Sequence, residues 1–248
     1  MPQAKSMECL LKMKEIIAWK SSIGDWGEER LYGAPVAVVD VETTGLNPSE
    51  CRVVQLAVVH TNLGMGNAEV VYNELINPGC AIPSSTTRVH KITDAMVSGL
   101  GGFCDHAERL RELLCGRIIS AYNLPYDYAV LNAELCRHEL SPLPWFGICG
   151  MILAKYVDTG RGRGYHRLGS VAKRRGHTFT AHDAAEDALV TAKILDGLLG
   201  EASRKAGRKF GSVREFWSFQ REVAICQERE LRKHYGGGNG RGWPWTDW

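Results

Sequence analysis

Apolar residues follow two rhythms along this chain. Four stretches are short, β-branched runs bounded by turn-forming residues: PVAVVDVE (35–42), CRVVQLAVVH (51–60), EVVYNELI (69–76) and RIISAY (117–122). Such runs predict strands. The turn-rich gap TNLGMGNA (61–68) makes the second and third antiparallel neighbours. Elsewhere the apolar positions recur at helical spacing. Leu10, Met13, Ile16 and Ile17 form one stripe, and Tyr128, Leu131 and Leu135 another. Helices are predicted near 7–20, 104–115, 126–140, 148–157, 167–176 and 183–199, with a short one near 93–98. Strands followed by mixed strands and helices predict an α/β fold with a mixed sheet.

The same pattern divides the chain. SSIGDWGEERLYGAP (21–35) reads as a linker, so residues 1–33 form an N-terminal helical extension and linker ahead of a domain over 34–200. Residues 201–235 form a C-terminal helical extension. Its helix starts at a capping box, Ser212 with Glu215, and carries Phe216, Phe219, Val223 and Cys226 as its apolar stripe. GGGNGRGWPWTDW (236–248) is a flexible Gly/Trp tail.

Composition adds little until charge is placed along the chain. The 248 residues are 44% hydrophobic and 23% charged, with a net charge of +2, as in ordinary globular proteins. No apolar run approaches the roughly 20 residues of a membrane span. Lysines and a glutamate interrupt the apolar N-terminal stretch, so it does not read as a signal peptide. The eight cysteines are scattered without CxxC spacing, which predicts reduced, mostly buried thiols and a cytoplasmic protein. Charge is uneven, however. Residues 155–175 hold seven Lys/Arg against one acid, Asp158. That run is either a solvated face or a nucleic-acid contact. On the second reading Arg161, Arg163, Arg167, Lys173 and Arg174 are the candidate phosphate-backbone contacts.

Three acid clusters change the picture. Asp40 and Glu42 lie two apart on a predicted strand, so both project from one face. Two like charges that close raise each other's pKa unless a cation lies between them. Their oxygen ligands suit Mg²⁺ or Mn²⁺ better than zinc. Alone, the pair also fits a strand end reaching water. Asn123 and Asp127 lie where a later strand hands over to a helix, where ligand sites of α/β folds collect. In AHDAAEDAL (181–189), Asp183 is the expected N-cap with Glu186 closing a capping box. That leaves Asp187 free to face elsewhere and puts His182 on the preceding loop. Histidine changes charge nearest neutral pH, which suits proton removal from water.

In order, VVDVETTGL (38–46), RVHKITDAMV (88–97), AYNLPYDYAVL (121–131) and HDAAEDA (182–188) resemble the DnaQ-like (DEDDh) 3′→5′ exonuclease family. The resemblance spans about residues 35–200; Tyr122 stands where a histidine is frequent, and Pro125 is unusual. It implies a ribonuclease-H-like fold, a mixed five-stranded sheet flanked by helices. It implies that Asp40, Glu42, Asp127 and Asp187 bind two Mg²⁺ or Mn²⁺ ions, with His182 as general base. It implies that Thr43, Thr44, Gly45, Leu46, His90 and Asn123 meet the 3′ nucleotide, Leu46 as an apolar wedge.

The expected function is therefore metal-dependent removal of nucleoside 5′-monophosphates from DNA 3′ ends, single-stranded or mismatched, of the proofreading or repair type. DNA is favoured over RNA as the partner. Exoribonuclease or oligoribonuclease activity uses the same chemistry. A non-catalytic subunit docking on nucleic acid or a polymerase is the third reading, and the complete set of five residue types weighs against it. The C-terminal helix and tail are candidate surfaces for a polymerase or other protein, and no membrane is implied.

Overall fold

The computed structural model describes residues 29–143, 146–158 and 164–235, the last five by backbone only. The predicted N-terminal helix, the tail, Arg161 and Arg163 lie outside the described residues. Five strands make one mixed sheet in the order β3-β2-β1-β4-β5. They are β1 (Pro35–Thr43), β2 (Val53–Asn62), β3 (Glu69–Leu75), β4 (Ile118–Ala121) and β5 (Gly147–Cys149). β2 runs antiparallel to both β1 and β3, while β4 runs parallel to β1 and β5. β1 is thus central and buried, and Asp40 and Glu42 alternate with Val39, Val41 and Thr43 as its less buried face. Glu42 lies opposite Gln55 in β2, and the register shifts directly after it. That irregularity turns the chain out of the sheet at Thr43.

Eight helices complete the described residues: α1 (Ser84–His90), α2 (Asp94–Val97), α3 (Phe103–Leu114), α4 (Leu124–Arg137), α5 (Gly150–Val157), α6 (Leu168–Arg174), α7 (Ala184–Ala206) and α8 (Val213–Tyr235). α7 lies across β1, β2 and β3, and α4 packs against β1, β2, β4 and β5. α7 starts at Asp183, whose carboxylate accepts from Ala185 and Glu186 N–H, and ends at Gly207 in the left-handed region. Pro125 sits in the first turn of α4, where a missing N–H leaves no partner unsatisfied.

Several expectations differ from the structure. β5 was expected to be the start of a helix over 148–157; it is a three-residue strand leading directly into α5. Gly147 permits it, since a Cβ there would collide with Ile119 O and lie 2.7 Å from Leu124 Cδ2. The loop before α2 holds a second helix, α1, whose last residue His90 is buried. The expected division at residue 200 falls inside α7. Beyond it, Phe216, Phe219, Val223 and Ala224 of α8 join the same hydrophobic core as the sheet, while Cys226 is exposed. Gln220 of α8 is buried, and its amide accepts from Cys149 N (2.8 Å) and donates to Gly147 O (3.0 Å). The side chain thereby completes the outer rim of β5 as a neighbouring strand would. Glu215 reaches Gly211 N–H, one residue earlier than the box at Ser212 requires, while Ser212 Oγ accepts from Glu215 N.

The seven cysteines among the described residues are free, and contrary to expectation only Cys51 and Cys149 are buried; the other five are exposed. Among those residues no helix is long and apolar enough to cross a membrane.

Candidate active site

The three acid clusters meet at the C-terminal end of β1. Oxygen and nitrogen ligand atoms of Glu42, His182 and Asp187 lie within 4.8 Å of one another. Asp127, in the first turn of α4, is 4% exposed. Asp40 lies close enough to Asp127, Asp187, Glu42 and Asp183 to be perturbed by all four. Four elements therefore supply the site: β1, the first turn of α4, the loop at His182 and the first turn of α7.

These acids crowd and perturb one another. Burial, then the neighbouring acids, raise Asp40 well above the usual carboxylate range. Burial, then Asp187 and Asp183, push Glu42 up to about 8. Asp127 is pushed to about 8, mainly by burial; backbone N–H groups of Val41 and its own residue oppose this, and Glu42 and Asp187 add to it. Burial raises Asp187 to about 7 against the His182 N–H, which donates to its Oδ2 at 3.4 Å. Asp187 Oδ1 is buried with no hydrogen-bond partner. An orphaned oxygen among mutually repelling carboxylates is a donor set that a divalent, oxygen-seeking cation fits.

His182 is exposed and has a φ of +66°, a conformation that costs an L side chain free energy. The backbone reversal there puts the imidazole beside Glu42 and Asp187 while Asp183 caps α7. His90 comes close by from the other direction. Its Nδ1 accepts from Ile92 N–H at 3.0 Å, which places the ring proton on Nε2. Burial lowers its pKa and keeps it neutral; the Thr43 carbonyl and His182 are its other perturbing neighbours.

Thr43, Thr44 and Gly45 continue directly from Glu42, and Leu46 at the tip is 83% exposed. Asn123 is the N-cap residue of α4, without a side-chain cap bond. Of the basic candidates, Arg167 and Lys173 are exposed on α6 and its approach. Arg174 is engaged with its own surroundings. It bonds Asp158 Oδ2 at 2.8 Å and Tyr165 O at 2.9 Å, and its guanidinium lies 3.9 Å from the Tyr165 ring centroid. Arg175 also bonds Asp158, and Glu201 at 2.7 Å. Two of the seven cations of the linear run, Arg174 and Arg175, are thus paired in the fold.

A family model described as Exonuclease (RNase_T) matches residues 37–195. The chain belongs to this exonuclease family. It is 32% identical over 201 residues to a DNA polymerase III subunit epsilon-like protein of Rhodobacter capsulatus, covering 77% of this chain but 28% of that protein. It is 29% identical to the DNA polymerase III subunit epsilon of Treponema pallidum, covering 68% of this chain and 78% of the relative. Among solved structures, exonuclease X in complex with 5′-overhanging duplex DNA superposes with a TM-score of 0.55 at 21% identity, over 75% of this chain and 99% of that one. Escherichia coli exonuclease I with a dA16 oligonucleotide gives a TM-score of 0.60 at 21% identity, over 69% and 42% of the two chains. These likenesses show the exonuclease fold.

Three residues of this exonuclease fold escaped the linear reading. Gln55 bonds Asn73 Oδ1 at 2.9 Å and accepts from Ala184 N at 3.3 Å, so β2 holds the start of α7 beside Glu42. Its signal was visible: one amide inside the apolar run VVQLAVV. Glu134 is fully buried and takes Arg52 Nε at 2.9 Å and Val53 N at 3.0 Å. Tyr126 touches the turn after Glu42 through its hydroxyl. Asp183, expected as a cap alone, also adds its charge to the acid cluster.

Proposed function

We propose that this chain hydrolyses phosphodiester bonds at the 3′ end of DNA, releasing nucleoside 5′-monophosphates. The observation that carries the reading is the meeting of Glu42, His182 and Asp187 within 4.8 Å beside two buried acids, Asp40 and Asp127. Asp40, Glu42, Asp127 and Asp187 are the residues that would hold two Mg²⁺ or Mn²⁺ ions. Bound there, the ions supply charge neutralisation for the phosphate and acidify a water molecule.

The chain's own residues do the rest. His182 accepts the proton of the attacking water at a ring nitrogen. The His182 N–H to Asp187 Oδ2 bond fixes the loop that carries the ring. Glu42 and Asp187 flank the imidazole. Thr43, Thr44, Gly45 and His90 lie where the terminal nucleotide enters, and exposed Leu46 abuts its base. Exposed Arg167 and Lys173 contact the phosphate backbone upstream, without reading sequence.

DNA as substrate is supported by the DNA-bound exonuclease X and exonuclease I neighbours. The epsilon-type relatives support a proofreading or repair role, with a polymerase as partner. The test compares 3′- and 5′-labelled single-stranded DNA, duplex DNA and RNA with Mg²⁺ or Mn²⁺. A stepwise 3′→5′ ladder on DNA that vanishes in Asp187→Asn is expected. Internal cuts, or undiminished activity in that variant, would overturn the proposal. Preferential digestion of RNA would move the substrate to the exoribonuclease reading.

A further inference from the structure

Residues 43–53 leave β1 and return into β2 as one loop. Its base is closed by Thr44 N to Arg52 O and by Arg52 N to Thr44 Oγ1, both 2.9 Å. Inside it, Glu50 N and Cys51 N donate to Asn47 O at 3.0 and 2.8 Å. α4 grips the loop at three places. Arg137 donates to Ser49 O at 2.8 Å, and Glu134 takes Arg52 Nε and Val53 N, so both of these hold the returning leg. Tyr126 reaches the outgoing leg, the one that runs from Glu42 to Leu46.

The Tyr126 contact is a triangle of oxygens. Tyr126 Oη lies 2.7 Å from Thr43 Oγ1 and 2.8 Å from Gly45 O, and Thr43 Oγ1 donates to Gly45 O at 2.7 Å. The buried Cys51 thiol is hydrogen-bonded to both hydroxyls, and the Gly45 carbonyl is the one oxygen of the triangle that can only accept. A peptide unit is planar and trans, so holding the Gly45 carbonyl inward turns the Leu46 N–H the other way and fixes where the Leu46 Cα leaves the turn. The residues on either side of the triangle are Asp127 and Glu42, both acids of the site.

We propose that Tyr126 is a positioning residue for the terminal 3′ nucleotide: its hydroxyl, closed on Thr43 Oγ1 and Gly45 O, fixes the turn that presents Leu46. This rests on the 3′→5′ exonuclease reading above. A paired 3′ end must be parted before its last nucleotide enters, so the direction of Leu46 matters more for duplex than for single-stranded ends.

The experiment uses the full chain and two readouts. Hydrogen exchange of the 43–53 segment needs no substrate. In Tyr126→Phe it should quicken about fivefold, the worth of one neutral hydrogen bond, while the later turns of α4 keep their wild-type rates. Thr43→Val should do the same, and Thr43→Ser, which keeps the hydroxyl, should not. In steady-state digestion, Tyr126→Phe should raise KM for blunt duplex about fivefold with kcat within about twofold of wild type, and raise KM less for a single strand. Unchanged exchange over 43–53, or a fall in kcat at constant KM, would overturn the proposal. A wild-type chain that digests no 3′ end would defeat the exonuclease reading instead, and the exchange comparison would still decide the clasp.

Discussion

Stripping the site of cations should make the protein less stable as pH rises, and the structure sets the size of the effect. Glu42 shifts from an ordinary 4.5 to about 8 in the fold, and Asp127 from 3.8 to about 8. Between those limits the folded chain keeps a proton that the unfolded chain has released. Stability is therefore full below the unfolded values and is lost as pH climbs through the folded ones, by about 1.4 kcal/mol per pH unit per group. From about pH 5 to about pH 7, the two groups together remove roughly 5 kcal/mol. For a chain of this size that lowers Tm by roughly ten degrees or more. His60 and His90, held neutral by burial, act in the opposite sense over the same range. Asp127→Asn isolates part of the carboxylate effect: it should flatten the decline, while Asp40, Glu42 and Asp187 keep contributing and both histidines stay in place. The assay is thermal unfolding in chelator at both pH values, repeated with Mg²⁺ or Mn²⁺. Cations replace the protons the acids need, so they should raise Tm far more at the higher pH. A metal-free Tm that is level or rising in wild type and variant alike, or an equal cation effect at both pH values, would refute the reasoning.

Three further outcomes are expected. His182→Gly and His182→Ala should both depress turnover much more than DNA binding, but the glycine variant should be more stable by about 1 kcal/mol, since it relieves the left-handed backbone; equal melting curves would show that the conformation carries no strain. Gln220→Leu should cost about 2–3 kcal/mol in denaturant unfolding by leaving two buried backbone groups without partners; a loss under about 0.5 kcal/mol would mean that β5 is satisfied otherwise. Neutralising Arg167 and Lys173 together should reduce the log–log salt slope of single-strand binding by about 1.4; an unchanged slope would return that face to solvent.

Much of this site is legible in linear order because its chemistry is local. A DxE inside PVAVVDVE, an acid at a strand–helix junction and an aspartate cap beside a histidine each stand out against their surroundings. β1, β2 and β3 show for the same reason, being apolar runs between turns. β5 does not show, because three residues make no period and the following helix absorbs them. α1 is hidden by its composition, SSTTRVH, which has no apolar stripe. Tyr126 and Glu134 stay silent because their partners lie far away in sequence. The pairing of Glu134 with Arg52 bridges 82 positions, and no local pattern carries it. The pairing within the basic run is hidden for a related reason: Asp158 and Glu201 come to Arg174 and Arg175 only in three dimensions.

The amide of Gln220 has a bearing on how the chain behaves outside its folded state. An uncovered sheet border is a template on which another chain can add a strand. β5 is short and fully buried, and its border is closed by a single side chain on α8. A chain cut before Ser212 would keep every acid of the site and still bare that border, together with the apolar surface under Phe216 and Phe219. Its failure would appear as self-association and precipitation before any loss of chemistry. The last helix is thus an insulator for the sheet, and a shortened enzyme that aggregates would say nothing against its active site.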